Sequence, residues 1–555
     1  MSLEINYIDA PEGAQDVMTA EGENGNGIAR NDLIAAGVQD AAYATLEPGV
    51  WKLDGSRKIL SDTPEVGWWS RERSGQDGRF GTPPAITLKF PVPYSSTGFT
   101  LTFSPSTGQW CSEILVTWYN GQNLLLEKTF YPNSANWILN ETVESFDQVR
   151  FLLLATNYPA QFAKIQRIEI GRTMLFGPGE IAGVRLVNEA DPSLCVLTAD
   201  TMNFEIVDSQ DRELIPQENQ RIELMKNGIL HAVQYIISST REAKNHHKIT
   251  CQSVIGLLED TFLGGMFREV PLEEMTAQIL GSWSFEIDSY FDGVTVSGYL
   301  PVCTQREALQ QLAFAVGAVI STQGGPKIRF LPVPTAVTAK FASSEIFLGG
   351  SVKTSPRVAK VQVTAHSYAE ADTEQILIRE EEMDGEDILV TFGAPHHSYA
   401  ISGGTITGSG VNWVTITASG VVTLTGKDYT HTSTVYTRRN PAAVAKEQSN
   451  YVSVHEVTLI HSGNVRQALD RLFNVYQLRQ VTEQEVVVNS QTAGEMAVSI
   501  TPWGSQTRGF ISSMDSTLTQ GGHTALVNIQ GIEVELESVW MHAGELWAGN
   551  AEVLY

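Results

Sequence analysis

From about residue 58 to 175 apolar and polar positions alternate in short runs, the period of a strand with one face buried. AITLKF places Ile86, Leu88 and Phe90 on one face, and FTLTFS does the same with Phe99, Leu101 and Phe103; EILVTWY, VRFLLLAT and KIQRIEIG continue the pattern. Turn clusters such as SPSTG and YNGQ separate the runs, which predicts a jelly-roll-like β-sandwich over 58–175. FGPG at 176–179 marks a joint. Residues 1–57 read as an extended N-terminal arm, because PEGAQDVMTAEGENGNGIARND offers little to bury.

Beyond the joint the texture is again strand-rich over 176–265, with LCVLTADTMNFEIVDS, ENQRIELMKNG and AVQYIISSTRE. The period then changes. LEEMTAQILGSW (272–283) and the stretch YLPVCTQREALQQLAFAVGAVIST (299–322) show helical spacing, so 266–335 reads as an α+β module. In the second stretch Thr304 and Glu307 form a capping box, each side chain satisfying an amide of the other's end of the first turn. Leu309, Leu312, Ala313, Val316 and Ile320 follow on one face, with Phe314, Ala315 and Val319 opposite and Gly317 interrupting the run. A helix apolar on all sides is expected to be buried on all sides.

Residues 336–440 read as a second barrel-like β domain carrying an acidic loop, REEEMDGED. Residues 441–555 begin with a helix near Asn464, with Leu469, Leu472, Phe473 and Tyr476 on one face, and close with strands and a hairpin, ELWAGNAEVLY. The fold class is therefore mainly β with an α+β element: two β-barrel-like domains flank the α+β module, with an N-terminal sandwich of jelly-roll or discoidin-like character.

Length and composition narrow the function. A chain of 555 residues exceeds one ordinary core. A formal charge of -26 argues against a surface that binds nucleic acid by neutralising phosphates. Cys111, Cys195, Cys251 and Cys303 are far apart without C-x-x-C spacing, as expected of buried thiols made in a reducing cytoplasm. The N-terminus lacks the charged and apolar regions of a signal peptide, and no membrane span is expected.

The usual catalytic motifs are missing: there is no G-x-S-x-G, no P-loop and no G-x-G-x-x-G after a strand. His455, Glu456 and His461 superficially resemble H-E-x-x-H, but the second histidine comes two places too late to share a helical face with the first. The doublets His246-His247 and His396-His397 read as solvated loop histidines, and adjacent strand residues point to opposite faces. Glu380, Glu381, Glu382, Asp384, Glu386 and Asp387 lack calcium-loop spacing and read as a self-repelling solvated loop. No catalytic residue, cofactor or metal ligand is expected. The one candidate contact patch is aromatic: Trp68, Trp69 and Arg71 in GWWSRERSGQDGRFG, with Trp110 from the same module, suit stacking on a sugar ring at the rim of a sandwich. The bland alternative is that the tryptophans plug the sandwich end.

Several long segments carry a resemblance. YATLEPGVWKLDGS (43–56), GWWSRERSGQDGRFGTPPAITLKF with STGFTLTFS (67–104), IGLLEDTFLGGMF (255–267) and GYLPVCTQREALQQLAFAVGAV (298–319) resemble the tail or baseplate hub proteins of phages and prophages of Firmicutes. The likeness covers most of 40–335. It implies a virion structural protein at the distal end of a tail, similar to the hub of contractile-tail baseplates and to the N-terminal part of siphophage tail-associated proteins. In such hubs a homotrimer with two barrels per chain, here about 177–265 and 336–440, adapts a sixfold tube to a threefold tip.

Expected partners are then further copies of the chain, the distal tail or tail tube protein, the tape measure protein, and other tail-tip or receptor-binding proteins. DNA would pass through a channel without being specifically bound. Two alternatives stand beside the hub: attachment to host cell-wall glycan through the sandwich, and a tail-borne wall hydrolase.

Overall fold

The computed structural model describes residues 3–11, 14–38, 43, 45, 47–50, 54, 66–208, 218–501 and 504–534. Much of the segment 43–56 and the whole expected C-terminal hairpin lie outside them. The chain divides into two compact units: Ile5–Phe176 with Gln220–Glu223, and Gly177–Asn219 with Leu224–Tyr555 and Met1–Glu4.

The smaller unit is the sandwich. Its main sheet runs in the order Thr19–Glu23, Ala85–Thr102, Asn136–Thr156, Cys111–Asn120, Asn123–Phe130, with Arg167–Ile170 pairing on Ala85–Thr102. Trp68–Arg73 pairs with Phe162–Ile165 in a second, smaller sheet. The alternating residues make the core: Ile86, Leu88, Phe99, Leu101, Phe103 and Trp118 are almost wholly buried. Edge-to-face rings lock it, as with Phe99 and Phe151, whose centroids are 5.5 Å apart at 84°. At the YNGQ turn, Gly121 adopts φ 57, the left-handed conformation that lets Asn120 pair with Asn123.

Where residues 1–57 are described, they do not form the expected extended arm. Thr19–Glu23 is a strand of the main sheet, and the short helices α1 (Ala14–Val17) and α2 (Asp32–Ala36) bury Ala14 and Ile34 in the sandwich core. Leu3–Asp9 is also a strand, pairing with Arg172–Phe176 from Ile5↔Phe176 to Asp9↔Arg172. A few well-placed apolar residues suffice for an edge when the sheet beside them is already formed, and average composition hides them.

In the larger unit one sheet carries Ile229–Ala243, His246–Gln252, Thr201–Val207, Ile181–Glu189, Gln506–Thr519, Gly522–Val534, Gln480–Val487 and Ser351–Thr354 in that spatial order. It curls, and side chains rather than backbone bonds bridge the curl: Lys226 and His231 meet His523 of Gly522–Val534. Among the described residues no sheet closes into a barrel, so the two expected barrels are open sheets.

Helices α3 (Leu272–Leu280), α4 (Gln305–Val316) and α5 (Val465–Val475) gather beside it. The capping box of α4 forms, with Glu307 N donating to Thr304 Oγ1 at 3.2 Å and Thr304 N to Glu307 Oε2 at 3.0 Å. The helix is shorter than its apolar run. Gly317 turns to φ 82 and ends it, and Ala318–Ser321 continues as a strand of the sheet Phe285–Ile287, Ile328–Pro332, Ala318–Ser321. The apolar Val319 and Ile320 therefore belong to a strand and not to the helix. One core joins Val233 and Leu258, Met275 of α3, Leu312 and Phe314 of α4, Val361, and Leu472 of α5. Parts of every segment read as a separate domain after residue 176 thus meet in one core, beside smaller cores around Phe341 and Ile511 and around Ile378 and Ile416.

Lys360–Thr391 is a strand of 32 residues that pairs with Trp413–Arg439, from Lys360↔Arg439 to Thr391↔Trp413. Its outer part wraps a small core of its own, including Ile378, Val414, Ile416 and Leu424. The acidic run lies within this strand and is not a loop. Register shifts between Ile378 and Glu381 and between Gly385 and Ile388 absorb the extra residues, with Glu380 at φ 48 and Asp387 at φ 50, as in β-bulges. All six carboxylates face solvent.

Candidate functional site

The aromatic patch does not assemble as a surface. Trp68 is fully buried and Trp69 nearly so. Trp69 stacks on Phe162 with centroids 6.3 Å apart, and Lys164 Nζ sits 4.6 Å from its ring centroid on a buried polar network. Arg71 is exposed, and Trp110 is half-buried with Nε1 donating to the Pro132 carbonyl at 3.1 Å. The expectation of a stacked sugar contact on Trp68 and Trp69 is therefore corrected. Both rings are interior, because Trp68–Arg73 turns its first residues into the sandwich and only its last outward.

The network under Trp69 is a buried ion pair. Lys164 Nζ lies 2.6 Å from Glu47 Oε2, with side chains 3% and 0% exposed. Glu47 also accepts from Phe162 N at 2.8 Å and from Gln109 Nε2 at 3.0 Å, while Lys164 donates to Gln109 Oε1 at 2.7 Å. Such saturation is what a buried pair needs to offset its desolvation.

The histidines also differ from expectation. His247 and His396 are buried strand residues, not solvated loop residues, and His396 Nδ1 lies 3.1 Å from Asp428 Oδ1. His455 and Glu456 are exposed and 3.8 Å apart. Among the described residues no group of three or more His, Cys, Asp or Glu is placed to hold a metal ion, and no helix is long and apolar enough to cross a membrane. The four cysteines carry no disulfide; burial pushes the Cys303 thiol up to about 11.

A site that sequence reading did not single out lies inside the curled sheet of the larger unit. It is a cleft of about 440 Å3. Leu186, Leu230, Val319, Leu331 and Met514 give it apolar walls, and Asp200, Gln234, Arg329, Glu495 and His523 give it polar ones. Asp200 accepts from Glu189 N at 3.1 Å and Thr322 Oγ1 at 3.3 Å. Burial pushes its carboxyl up to about 6, against hydrogen bonds from Asn188 and its neighbours. Burial, then the Lys226 charge, pulls His231 down to about 4. Burial, Lys226 and His231 together pull His523 down to about 3.

The tautomer of His523 follows from its partner. An ammonium only donates, so Lys226 Nζ, 2.9 Å away, donates to Nδ1 and the ring proton of neutral His523 sits on Nε2. That Nε2 is buried with no partner, as is Gln234 Oε1. The signal in the sequence was slight: a lone polar residue at an inward position of an apolar strand, Gln234 in AVQYII and His523 in GGHTALV.

No family model matches the sequence, and no curated protein does. Among solved structures the chain is similar to a 43 kDa tail protein of prophage MuSo2 from Shewanella oneidensis, at 9% identity and TM-score 0.39, over 64% of this chain and 95% of that one. It is similar to prophage tail protein gp18 from Listeria monocytogenes, at 10% identity and TM-score 0.38, over 64% and 91%. It is also similar to the family 32 CBM of C. perfringens NanJ, at 11% identity and TM-score 0.19, over 31% of this chain and 99% of that module.

Proposed function

We propose that the chain is a structural component of a phage tail tip: a homotrimeric hub that joins the tail tube to the distal tip and surrounds a channel for DNA. The observation that carries this reading is the long resemblance at GYLPVCTQREALQQLAFAVGAV and its companion segments, together with the place of that segment in the fold. The helix within it, α4, gives Leu309, Leu312 and Phe314 to the core that joins the curled sheet to the base of the strand pair 360–391 and 413–439. A segment so placed serves to hold β modules in register. The tube protein, the tape measure protein and receptor-binding proteins are the partners this role requires.

The net charge of -26 suits the role. A channel wall carrying acids repels phosphates, so DNA slides through without being trapped. Native mass spectrometry of the full chain tests the assembly: the reading expects three copies of the 60.8 kDa chain, and a strict monomer at high concentration contradicts it.

A further inference from the structure

The short strand Phe285–Ile287 has a sheet neighbour on one side only. It pairs in parallel with Ile328–Pro332, and among the described residues no strand adjoins its other edge. The direction of its backbone groups follows from the bonds that flank it. Ile328 N donates to the Ser284 carbonyl at 3.0 Å and Asp288 N to the Phe330 carbonyl at 3.0 Å, so the even-numbered residues face the sheet. In a parallel ladder the residues between them turn N–H and C=O the opposite way. Those of Phe285 and Ile287 therefore point out from the free edge, and both residues are only half-buried.

A groove of about 390 Å3 runs along this edge, a volume within the range of sites that hold small ligands. Phe285, Glu286 and Ile287 line it together with 271–273 and 291–295. An open strand edge beside a groove is a template for a further strand, whose backbone supplies the missing partners. The lining also selects the added sequence. Phe285, Ile287 and Val294 offer apolar contact, Glu273, Glu286 and Asp292 bring three carboxylates, and no basic residue lines the groove. Lys327, 3.7 Å from Glu286 Oε2, offsets one of the three. A second copy of a chain with net charge -26 would bring chiefly acids to that rim, so the complementary occupant is a different, basic protein.

We propose that the free edge of Phe285–Ile287 takes up an extended segment of a partner protein as an added strand. The segment bonds the outward N–H and C=O groups of Phe285 and Ile287, lays an apolar side chain on Val294 and brings lysine or arginine to Glu273 and Asp292. The proposal goes beyond the tail reading and stands independently of it.

The test is amide hydrogen exchange of the full chain, read residue by residue with electron-transfer fragmentation. The probe is the basic peptide acetyl-Lys-Val-Lys-Val-Lys amide. Exchange at Phe285 and Ile287 should slow saturably, by about tenfold or more, while Asp288, already bonded to Phe330, stays unchanged. No slowing in the wild-type chain overturns the proposal, and that arm requires no variant to fold. Equal slowing by the same peptide N-methylated at every residue overturns the strand pairing, and equal slowing by acetyl-Glu-Val-Glu-Val-Glu amide overturns the charge selection. Slowing that grows with the concentration of the chain itself, without peptide, gives the edge to a second copy and overturns the proposal too. Glu286→Gln combined with Asp292→Asn, both at exposed positions, should weaken the basic peptide about fivefold. Unchanged affinity in that variant contradicts a basic partner.

Discussion

Arg471 of α5 donates from its guanidinium to the carbonyl of Phe314 near the end of α4, and its Cζ lies 5.3 Å from the centroid of the same residue's ring. It answers one of the carbonyls that a helix C-terminus leaves free and places a cation at the negative end of the helix dipole. Burial lowers this arginine to about 10, which leaves it charged at neutral pH. A Cβ at Gly317 would lie 2.6 Å from Arg471 Nη1, so glycine is required here by both its φ and its neighbour.

Replacing Arg471 with leucine should destabilise the larger unit by about 1.5–3 kcal/mol, the range of a hydrogen bond to a charged group. Gly317→Ala should cost about 1–2 kcal/mol for its left-handed backbone, plus the displacement of Arg471. The double variant should cost less than the sum, because leucine removes the arginine that the new methyl meets. Urea denaturation of the four proteins measures the coupling. Simple additivity would show that Arg471 does not sit on Gly317.

In the sandwich, Lys164→Met alone or Glu47→Gln alone should destabilise by about 3–5 kcal/mol, since each strands a buried partner. Lys164→Met combined with Glu47→Gln should cost less than the sum of the singles, because no buried charge is left unpaired and the glutamine oxygen still accepts from Phe162 N. Thermal unfolding of single and double variants decides. A double that costs the full sum of the singles would mean that the pair is exposed in solution.

Trp68→Ala should lower stability by about 3–5 kcal/mol, whereas Arg71→Ala should change it by no more than about 0.5 kcal/mol. If the sandwich contacts cell-wall glycan, adsorption should follow the exposed Arg71 and not the interior Trp68. Trp68→Phe binding glycan poorly at unchanged stability would restore the tryptophan as a contact residue.

The cleft also sets a pH dependence. His231 and His523 have folded pKa values below the free one, so the unfolded chain binds more protons and their stability contribution is lost as pH falls from about 6.5 toward 4. Asp200 is raised, so its contribution runs the other way: present below about 4 and lost as pH rises through about 6. Two histidines outweigh one carboxyl, and acidification across this window should destabilise. His523→Phe should flatten the slope and Asp200→Asn should steepen it, as read from urea midpoints between pH 4 and 7. A steeper slope in His523→Phe would invert the assignment.

How much of this was legible beforehand varies by element. The sandwich strands, the capping box at Thr304 and Glu307, and the α5 start at Asn464 followed from periodicity and local hydrogen bonding, which need only neighbours in sequence. The end of α4 is not legible because a run of apolar residues has the same composition whether it stays helical or turns at Gly317 into a strand. The strand Thr19–Glu23 is not legible because it has no pattern of its own and exists by pairing with Ala85–Thr102. Trp68 and Trp69 looked like a rim because tryptophans beside arginines resemble one. The cleft was invisible for a different reason: Gln234 and His523 are 289 positions apart and meet only through the curl of the sheet.

Electron microscopy of particles from the strain that carries the gene, labelled with gold-conjugated antibodies to the ribbon 360–439, tests whether the chain is a tail-tip hub. The account expects label confined to the tail end opposite the head, at three copies per particle. Label along the whole tail, label on the head, or particles that lack the chain would contradict it.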